Sequence, residues 1–282
     1  MCELLGMAAR YPATLTSSLE RFAKHGGEEG PHADGWGLVY FDTESFDVRR
    51  IREPERAASS PWLPFIRSQQ RPARLALAHI RKATVGQPYL ANTQPFQREL
   101  GGRVHVFAHN GDLDEIDQRW RHHLRDYRPV GDTDSEVAFC ALMSRLKPFW
   151  DGACDRGRGA PAVDERRCVV ESFAAELRRY GPANFLYSDG ELLFAHGHRR
   201  RHDDGEIRAP GMVTLTRRCG PGAPDSLVSE SLCPPGACQA VTLFSSVPLT
   251  DEAWRPLDHG EIAMLRLTNA HGAAIRGDEA VR

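Results

Sequence analysis

The chain has 282 residues, 41% hydrophobic and 26% charged, enough to bury a large core. A formal charge of −2 gives no electrostatic reason for a nucleic-acid or anionic-membrane partner, and no apolar run approaches the ~20 residues that span a bilayer. Seven irregularly spaced cysteines make no disulfide framework and no basic-then-apolar leader opens the chain, so a reduced, cytoplasmic setting is expected.

Cys2 to Ala8 reads as a short buried strand. Thr16 or Ser17 can cap a helix that carries Leu19 and Phe22 inward and stops at Gly26-Gly27. The loop His32-Ala33-Asp34-Gly35-Trp36-Gly37 leads into the strand 38–41, a turn over 42–45, a return strand 46–51 and a Pro/Ser-containing connector. The apolar run 75–80 has strand length and delivers Arg81-Lys82-Ala83-Thr84-Val85-Gly86 at its end. After the loop through Asn92-Thr93-Gln94-Pro95-Phe96, the strand 104–108 runs into His109-Asn110-Gly111-Asp112-Leu113. Thr133 or Asp134 can cap a helix lined by Val137, Cys140 and Ala141.

Residues 151–166 read as an exposed excursion, followed by a helix through Val170, Phe173, Ala174 and Leu177 that ends at Gly181-Pro182. The clearest hairpin is 184–188, the turn Asp189-Gly190, then 191–196. Strands over 212–216, 240–245 and 261–267 complete the set. Strands cluster early and late around two long helices, which favours α+β layering: one domain over 1–282, two sheets face to face with helices outside.

Cys2 has two readings. As a small apolar residue it suits a buried first strand. If Met1 is removed, it instead gains an α-amine beside its thiol, and nucleophile and base then share one residue. A thiol titrates near ~8.5 and an α-amine near ~7.7–8.0, so the proton transfer is close to balanced at neutral pH. His196, His198 and His202 could suggest a metal, but the flanking Arg199-Arg200-Arg201 favours a solvated loop. Cys233 and Cys238 have the wrong spacing for a metal knuckle. No metal or cofactor is expected.

In order along the first half, Met1-Cys2, Asp34-Gly35-Trp36-Gly37, 79–86, 92–96, 109–113 and Thr133-Asp134-Ser135-Glu136 resemble the class II glutamine amidotransferases. These are N-terminal-nucleophile hydrolases, and the likeness is to stand-alone bacterial members. The resemblance implies a four-layer αββα sandwich in which Cys2 attacks the γ-amide of glutamine or a γ-glutamyl compound. It implies an oxyanion site at the Asn110 side chain and the Gly111 N–H, and an Arg81 fork on the substrate α-carboxylate. Asp134 would hold the substrate ammonium, with Thr84 and His79 in supporting contact. Lys82 and Gln94 depart from the family, which more often has an aromatic residue and a histidine there.

Ammonia passed to a separate synthase subunit, or plain hydrolysis of γ-glutamyl amides or peptides, are both compatible with these motifs. A non-catalytic glutamine-binding module or sensor is the alternative. It would keep its affinity after Cys2→Ala and show no turnover before it.

Overall fold

The computed structural model describes residues 2–202, 204–219 and 239–267. Cys233 and Cys238 lie outside these residues. The first sheet has seven antiparallel strands. They are β1 (Glu3–Ala13), β2 (Trp36–Asp42), β3 (Asp47–Glu53), β4 (Ala73–Ile80), β11 (Val213–Cys219), β12 (Gln239–Ser245) and β13 (Arg255–Pro256), in the order β13-β11-β12-β1-β4-β2-β3. The second sheet runs β14-β8-β7-β6-β5, from β5 (Phe96–Leu100), β6 (Arg103–Asn110), β7 (Asn184–Ser188), β8 (Leu192–His196) and β14 (Ile262–Arg266). A small hairpin, β9 (Arg200–Arg201) with β10 (Ile207–Arg208), stands apart from both.

Alternation along the strands builds the layers. Leu5, Met7 and Ala9 of β1 and Ala76, Ala78 and Ile80 of β4 face outward, under Leu19, Phe22 and Ala23 of α1 (Thr16–Lys24) and Ile66 of α2 (Trp62–Gln69). Leu4, Ala8, Leu75 and Leu77 face inward, against Val106, Ala108, Leu186 and Leu193 of the second sheet. Gly6 belongs to that inner face, where an added Cβ would lie 3.0 Å from the Leu186 side chain. The far side of the second sheet packs Phe107, Phe185 and Phe194 on α3 (Ile116–Trp120), α4 (Asp134–Asp155) and α5 (Val163–Leu177). The result is the expected αββα sandwich of the N-terminal-nucleophile hydrolase type.

Three local expectations need correcting. The stretch 151–166 is largely exposed, as expected, but helical at both ends, because α4 runs to Asp155 and α5 begins at Val163. Buried Trp150, its ring centroid 4.9 Å from that of His105, and buried Ala153 anchor the last turns of α4 despite Pro148 and Gly152. Packing here outweighs helix propensity. Strand β5 carries no strand signal in the sequence because its centre, Gln97-Arg98-Glu99, is polar. It is an edge strand, where charge is tolerated, turned into β6 by Gly101-Gly102, both at positive φ. The histidine loop is not solvated at His196 and His198. His196 is fully buried, contacts the Ala183 carbonyl through Nδ1 at 2.5 Å and accepts from Arg178 Nη1 at 3.0 Å. His198 is 3% exposed and packs edge-on against His259.

These buried imidazoles predict acid lability. Burial lowers His79 and His196 to about 3 and His105 to about 4. Each stays neutral in the fold, while in the unfolded chain each takes a proton below about pH 6.5. The unfolded state therefore binds more protons in acid. Stability is intact above about pH 6.5 and is lost as pH falls towards 4, by up to about 4 kcal/mol per pH unit for the three groups. Urea unfolding at pH 7.5 and pH 5 checks this. Equal free energies at the two values would exclude it.

Candidate active site

The same alternation gathers the chemistry. Cys2 precedes β1, Arg81 follows β4 and Asn110 ends β6, while His79 lies within β4. Their positions share parity with Leu4, Leu75, Leu77, Val106 and Ala108, so all four fall on the inner faces of the two sheets, at one end of the gap. Glu3 pairs with Ile80, which sets Cys2 beside Arg81 and Lys82. The half-buried Cys2 thiol lies 3.5 Å from the Lys82 carbonyl. Burial pushes it up to about 11, opposed by the contact with the Lys82 backbone and by the Arg81 charge, and reinforced by the Asp134 charge.

Arg81 is 3% exposed. Its Nη1 donates to the carbonyls of Gln87 at 3.0 Å and Asp34 at 3.5 Å, and its Nη2 to those of Val85 at 2.8 Å and Gly86 at 2.9 Å. The guanidinium thus organises its own loop, a task the sequence did not reveal. Asp34 completes that frame. Its Oδ2 accepts from the Ala83 N–H at 2.8 Å, its backbone N–H donates to the Arg81 carbonyl, and the Arg81 N–H donates to the Gly35 carbonyl. The Asp34-Gly35-Trp36-Gly37 motif is explained by this packing. Trp36 is buried and donates to Glu53 Oε2 at 2.8 Å, and a Cβ on Gly37 would collide with the Gln94 carbonyl.

Asn110-Gly111 is held from behind. Asn184 Nδ2 donates to the Asn110 carbonyl at 3.0 Å and to the Arg199 carbonyl at 2.9 Å, while its Oδ1 accepts from the His198 N–H at 2.8 Å. A Cβ on Gly111 would strike the Pro182 carbonyl, which is why a glycine is needed there. Gln94 bonds the His109 backbone twice, accepting from its N–H at 2.6 Å and donating to its carbonyl at 3.2 Å. Its amide thereby continues the β5–β6 ladder, so the departure from histidine at this position has a structural use.

Asp134 is the first residue of α4. The N-cap is Thr133, whose Oγ1 accepts from the Glu136 N–H at 3.3 Å. The Asp134 carboxylate accepts from the N–H groups of Leu113 and Ser135, both at 2.8 Å. Burial raises its pKa, against the His109 charge and these two N–H groups. Burial lowers His109, whose Nδ1 meets Ser135 Oγ at 2.9 Å. Exposed Thr84 donates to Asp112 Oδ1 at 2.5 Å, closing the loop after β4 onto the loop after β6. His79 is fully buried, and neither of its ring nitrogens makes a well-formed hydrogen bond. Asn110 Oδ1 is buried without a partner among the described residues, while the His109 ring also contacts the Pro182 backbone.

The structure therefore brings Cys2, Arg81, Asn110, Gly111 and Asp134 to one end of the inter-sheet gap, with Thr84 at its mouth and His79 beneath. Asp34, Asn184 and Ser246 support them. Only the Asp34 loop stood out in sequence, since the other two act on partners more than 70 residues away. A separate cavity of about 200 Å³, lined by Leu19, Ala23, Tyr40, Leu63, Ile66 and Arg71, lies between α1, α2 and the outer face of the first sheet.

A family model described as "Glutamine amidotransferases class-II" matches residues 1–278. The chain is 34% identical over 263 residues to "Putative glutamine amidotransferase YafJ" of Escherichia coli K12, covering 93% of this chain and 96% of that one. It resembles the crystal structure of a "predicted glutamine amidotransferase" from Pseudomonas aeruginosa PA01, with a TM-score of 0.59, 29% identity and coverage of 93% and 96%. Likeness in fold alone extends to the glutamine phosphoribosylpyrophosphate amidotransferase of B. subtilis, with a TM-score of 0.58 and 13% identity over 94% of this chain and 47% of that one.

Proposed function

The chain belongs to the class II glutamine amidotransferases, and from that premise we propose that residues 1–282 act as one catalytic domain hydrolysing the γ-amide of glutamine or a related γ-glutamyl compound. The observation that carries this is the convergence of Cys2, Arg81, Asn110-Gly111 and Asp134, from four distant segments, on one end of the inter-sheet gap. Buried polar atoms without partners are few in native proteins. Here Asn110 Oδ1, beside the donor end of the same amide, is buried without a partner among the described residues, as expected where a polar ligand binds.

The chemistry follows from the groups present. Removal of Met1 frees the Cys2 nitrogen as a base. The Cys2 sulfur attacks the γ-carbonyl carbon, its proton passing to the α-amine, and the C=O electron pair moves onto oxygen. Asn110 Nδ2 and the Gly111 N–H donate to that oxyanion. The C–N bond breaks, the amine leaves with the proton, and a thioester remains. Water then cleaves the S–C bond to release glutamate and restore the thiol. Arg81 and Asp134 serve as the opposite corners for the α-carboxylate and α-ammonium. Because the Arg81 Nη groups are taken by four carbonyls, a bidentate carboxylate exchanges with some of those contacts as it binds.

Glutamate release from glutamine and from a panel of γ-glutamyl amides and peptides tests the proposal, with and without an added acceptor. No release from any of them by protein lacking Met1 would sink it in favour of a glutamine-binding module. Burial of the Cys2 thiol, which raises its pKa, favours that second reading.

Arg81→Lys supplies a further check. Lysine keeps the charge but cannot span four carbonyls in one plane. Loss of one charge-assisted hydrogen bond, at about 1.5–3 kcal/mol, corresponds to a KM raised roughly tenfold to a hundredfold. Steady-state kinetics showing an unchanged KM would remove Arg81 from substrate binding.

A further inference from the structure

An oxyanion donor needs a direction as well as a location. Asn110 is 1% exposed, and its Nδ2 donates to Ser246 Oγ at 3.1 Å. The same Oγ accepts the Leu4 N–H at 3.0 Å, and the Ser246 N–H donates to the Leu4 carbonyl at 3.1 Å. Ser246 directly follows β12, which is antiparallel to β1 with Leu5 opposite Ser245. Its backbone therefore extends that pairing by one residue, while its hydroxyl reaches across the gap to the second sheet. Leu4 is two residues from Cys2, so a single oxygen joins the nucleophile's strand to the donor's side chain.

Both lone pairs of that oxygen are engaged. One Nδ2 hydrogen of Asn110 is held by Ser246, and the other remains for the substrate. Nothing restrains the opposite end of the amide, since Oδ1 has no partner. Among the described residues, no other hydrogen bond to the Asn110 side-chain amide is present. The terminal torsion of asparagine is broad and roughly two-fold. Without Ser246 the amide is free to turn its carbonyl oxygen, rather than its N–H, towards the developing negative charge.

We propose that Ser246 is a positioning residue that aims the Asn110 amide at the oxyanion. This rests on the assignment of Asn110 as oxyanion donor in the proposed function. Ser246 acts only through Asn110. Its effect falls on the transition state, where the charge exists, and not on capture of the substrate head group.

The experiment measures kcat and KM with the most rapidly hydrolysed γ-glutamyl amide, and the rate of Cys2 alkylation by iodoacetamide. The proteins are wild type, Ser246→Ala, Ser246→Thr, Asn110→Ala and the double variant Asn110→Ala/Ser246→Ala. Removing an oxyanion donor costs about 10²–10³-fold in kcat, and misaiming it is expected to cost part of that, roughly ten- to thirtyfold. Ser246→Ala should show that loss with KM within about twofold of wild type and alkylation unchanged. Ser246→Thr, which keeps the acceptor oxygen, should recover most of the rate. In the Asn110→Ala background, Ser246→Ala should cost nothing more.

A full additive loss in the double variant, or a fall in alkylation that parallels the fall in kcat, overturns the proposal while leaving Asn110 as donor intact. Wild-type kcat in Asn110→Ala instead overturns the assignment of the donor, and this proposal with it. Should Ser246→Ala not fold, the threonine variant decides: wild-type-like kinetics support the proposal, and a loss as large as that of Asn110→Ala overturns it.

Discussion

Replacement of Cys2 by Ser is expected to lower glutamate release by about 10⁴-fold or more, the scale on which removal of a catalytic nucleophile acts. The thiol is pushed up to about 11 by burial. At pH 7 only about one molecule in 10⁴ would carry a thiolate, so attack depends on a base. A free α-amine titrates near ~7.7–8.0, below the buried thiol, so direct proton transfer is uphill. That deficit is tolerable when transfer accompanies attack on a carbonyl whose oxyanion is stabilised by two donors. An amide nitrogen cannot accept the proton at all. An N-terminal extension that keeps a peptide bond on Cys2 should therefore be nearly as damaging as Cys2→Ser.

Two measurements separate these outcomes. Mass spectrometry after a glutamine-analogue electrophile should find one adduct on Cys2 in protein lacking Met1 and none in Cys2→Ser. The pH profile of kcat/KM should rise with the amine and be flat by pH 9. Continued growth towards pH 11 would show the thiol ionising unaided, and equal rates for wild type and Cys2→Ser would remove Cys2 from the chemistry.

Asp189→Ala is expected to be the most destabilising single change away from the site. Arg166 of α5 is 2% exposed and donates through Nη1 to Asp189 Oδ2 at 2.8 Å and to Glu191 Oε2 at 3.1 Å. Asp189 is fully buried, and its Oδ1 accepts from the N–H groups of Glu191 and Leu192. Burial works to raise its pKa, but Arg166, His105 and the Leu192 N–H outweigh burial and hold it low. Removing the carboxylate leaves Arg166 buried with Glu191 as its one remaining ion-pair partner among the described residues, and breaking a buried pair costs about 3–5 kcal/mol. For a chain of this size the melting temperature should fall by roughly 6–10 °C. Asp189→Asn/Arg166→Met, which removes both charges, should recover part of the loss. A melting temperature within 2 °C of wild type in Asp189→Ala would show that solvent reaches Arg166.

Much of this was legible in the residues. The strands around 75–80, 104–108 and 184–196 have short-range patterns that no packing alternative contradicts. The turn at Asp189-Gly190 follows from backbone chemistry alone, whereas the helix expected to end at Gly181-Pro182 stops earlier, at Leu177. The motifs at Cys2, Arg81, Asn110-Gly111 and Asp134 were visible because each carries its own local sequence. Residues 151–166 are largely exposed, as their composition implies, but the helical turns at their ends and strand β5 are hidden in the sequence because the elements they pack on are distant. His196 and His198 were misjudged for the same reason, since flanking arginines signal exposure until the second sheet and Arg178 enclose the rings.

The order of the chain by itself determined the layered α+β fold, the family and the residue types that meet at the site. Hydrophobic alternation, turn residues and motif order are properties of neighbours in sequence, so they survive without coordinates. Only the tertiary structure decided that Arg81 is caged by its own loop, that Gln94 completes a ladder, and that Ser246 reaches Asn110 from 136 residues away. Such hydrogen bonds join single atoms across two sheets, and their energy depends on tenths of an ångström that no spacing in the sequence encodes.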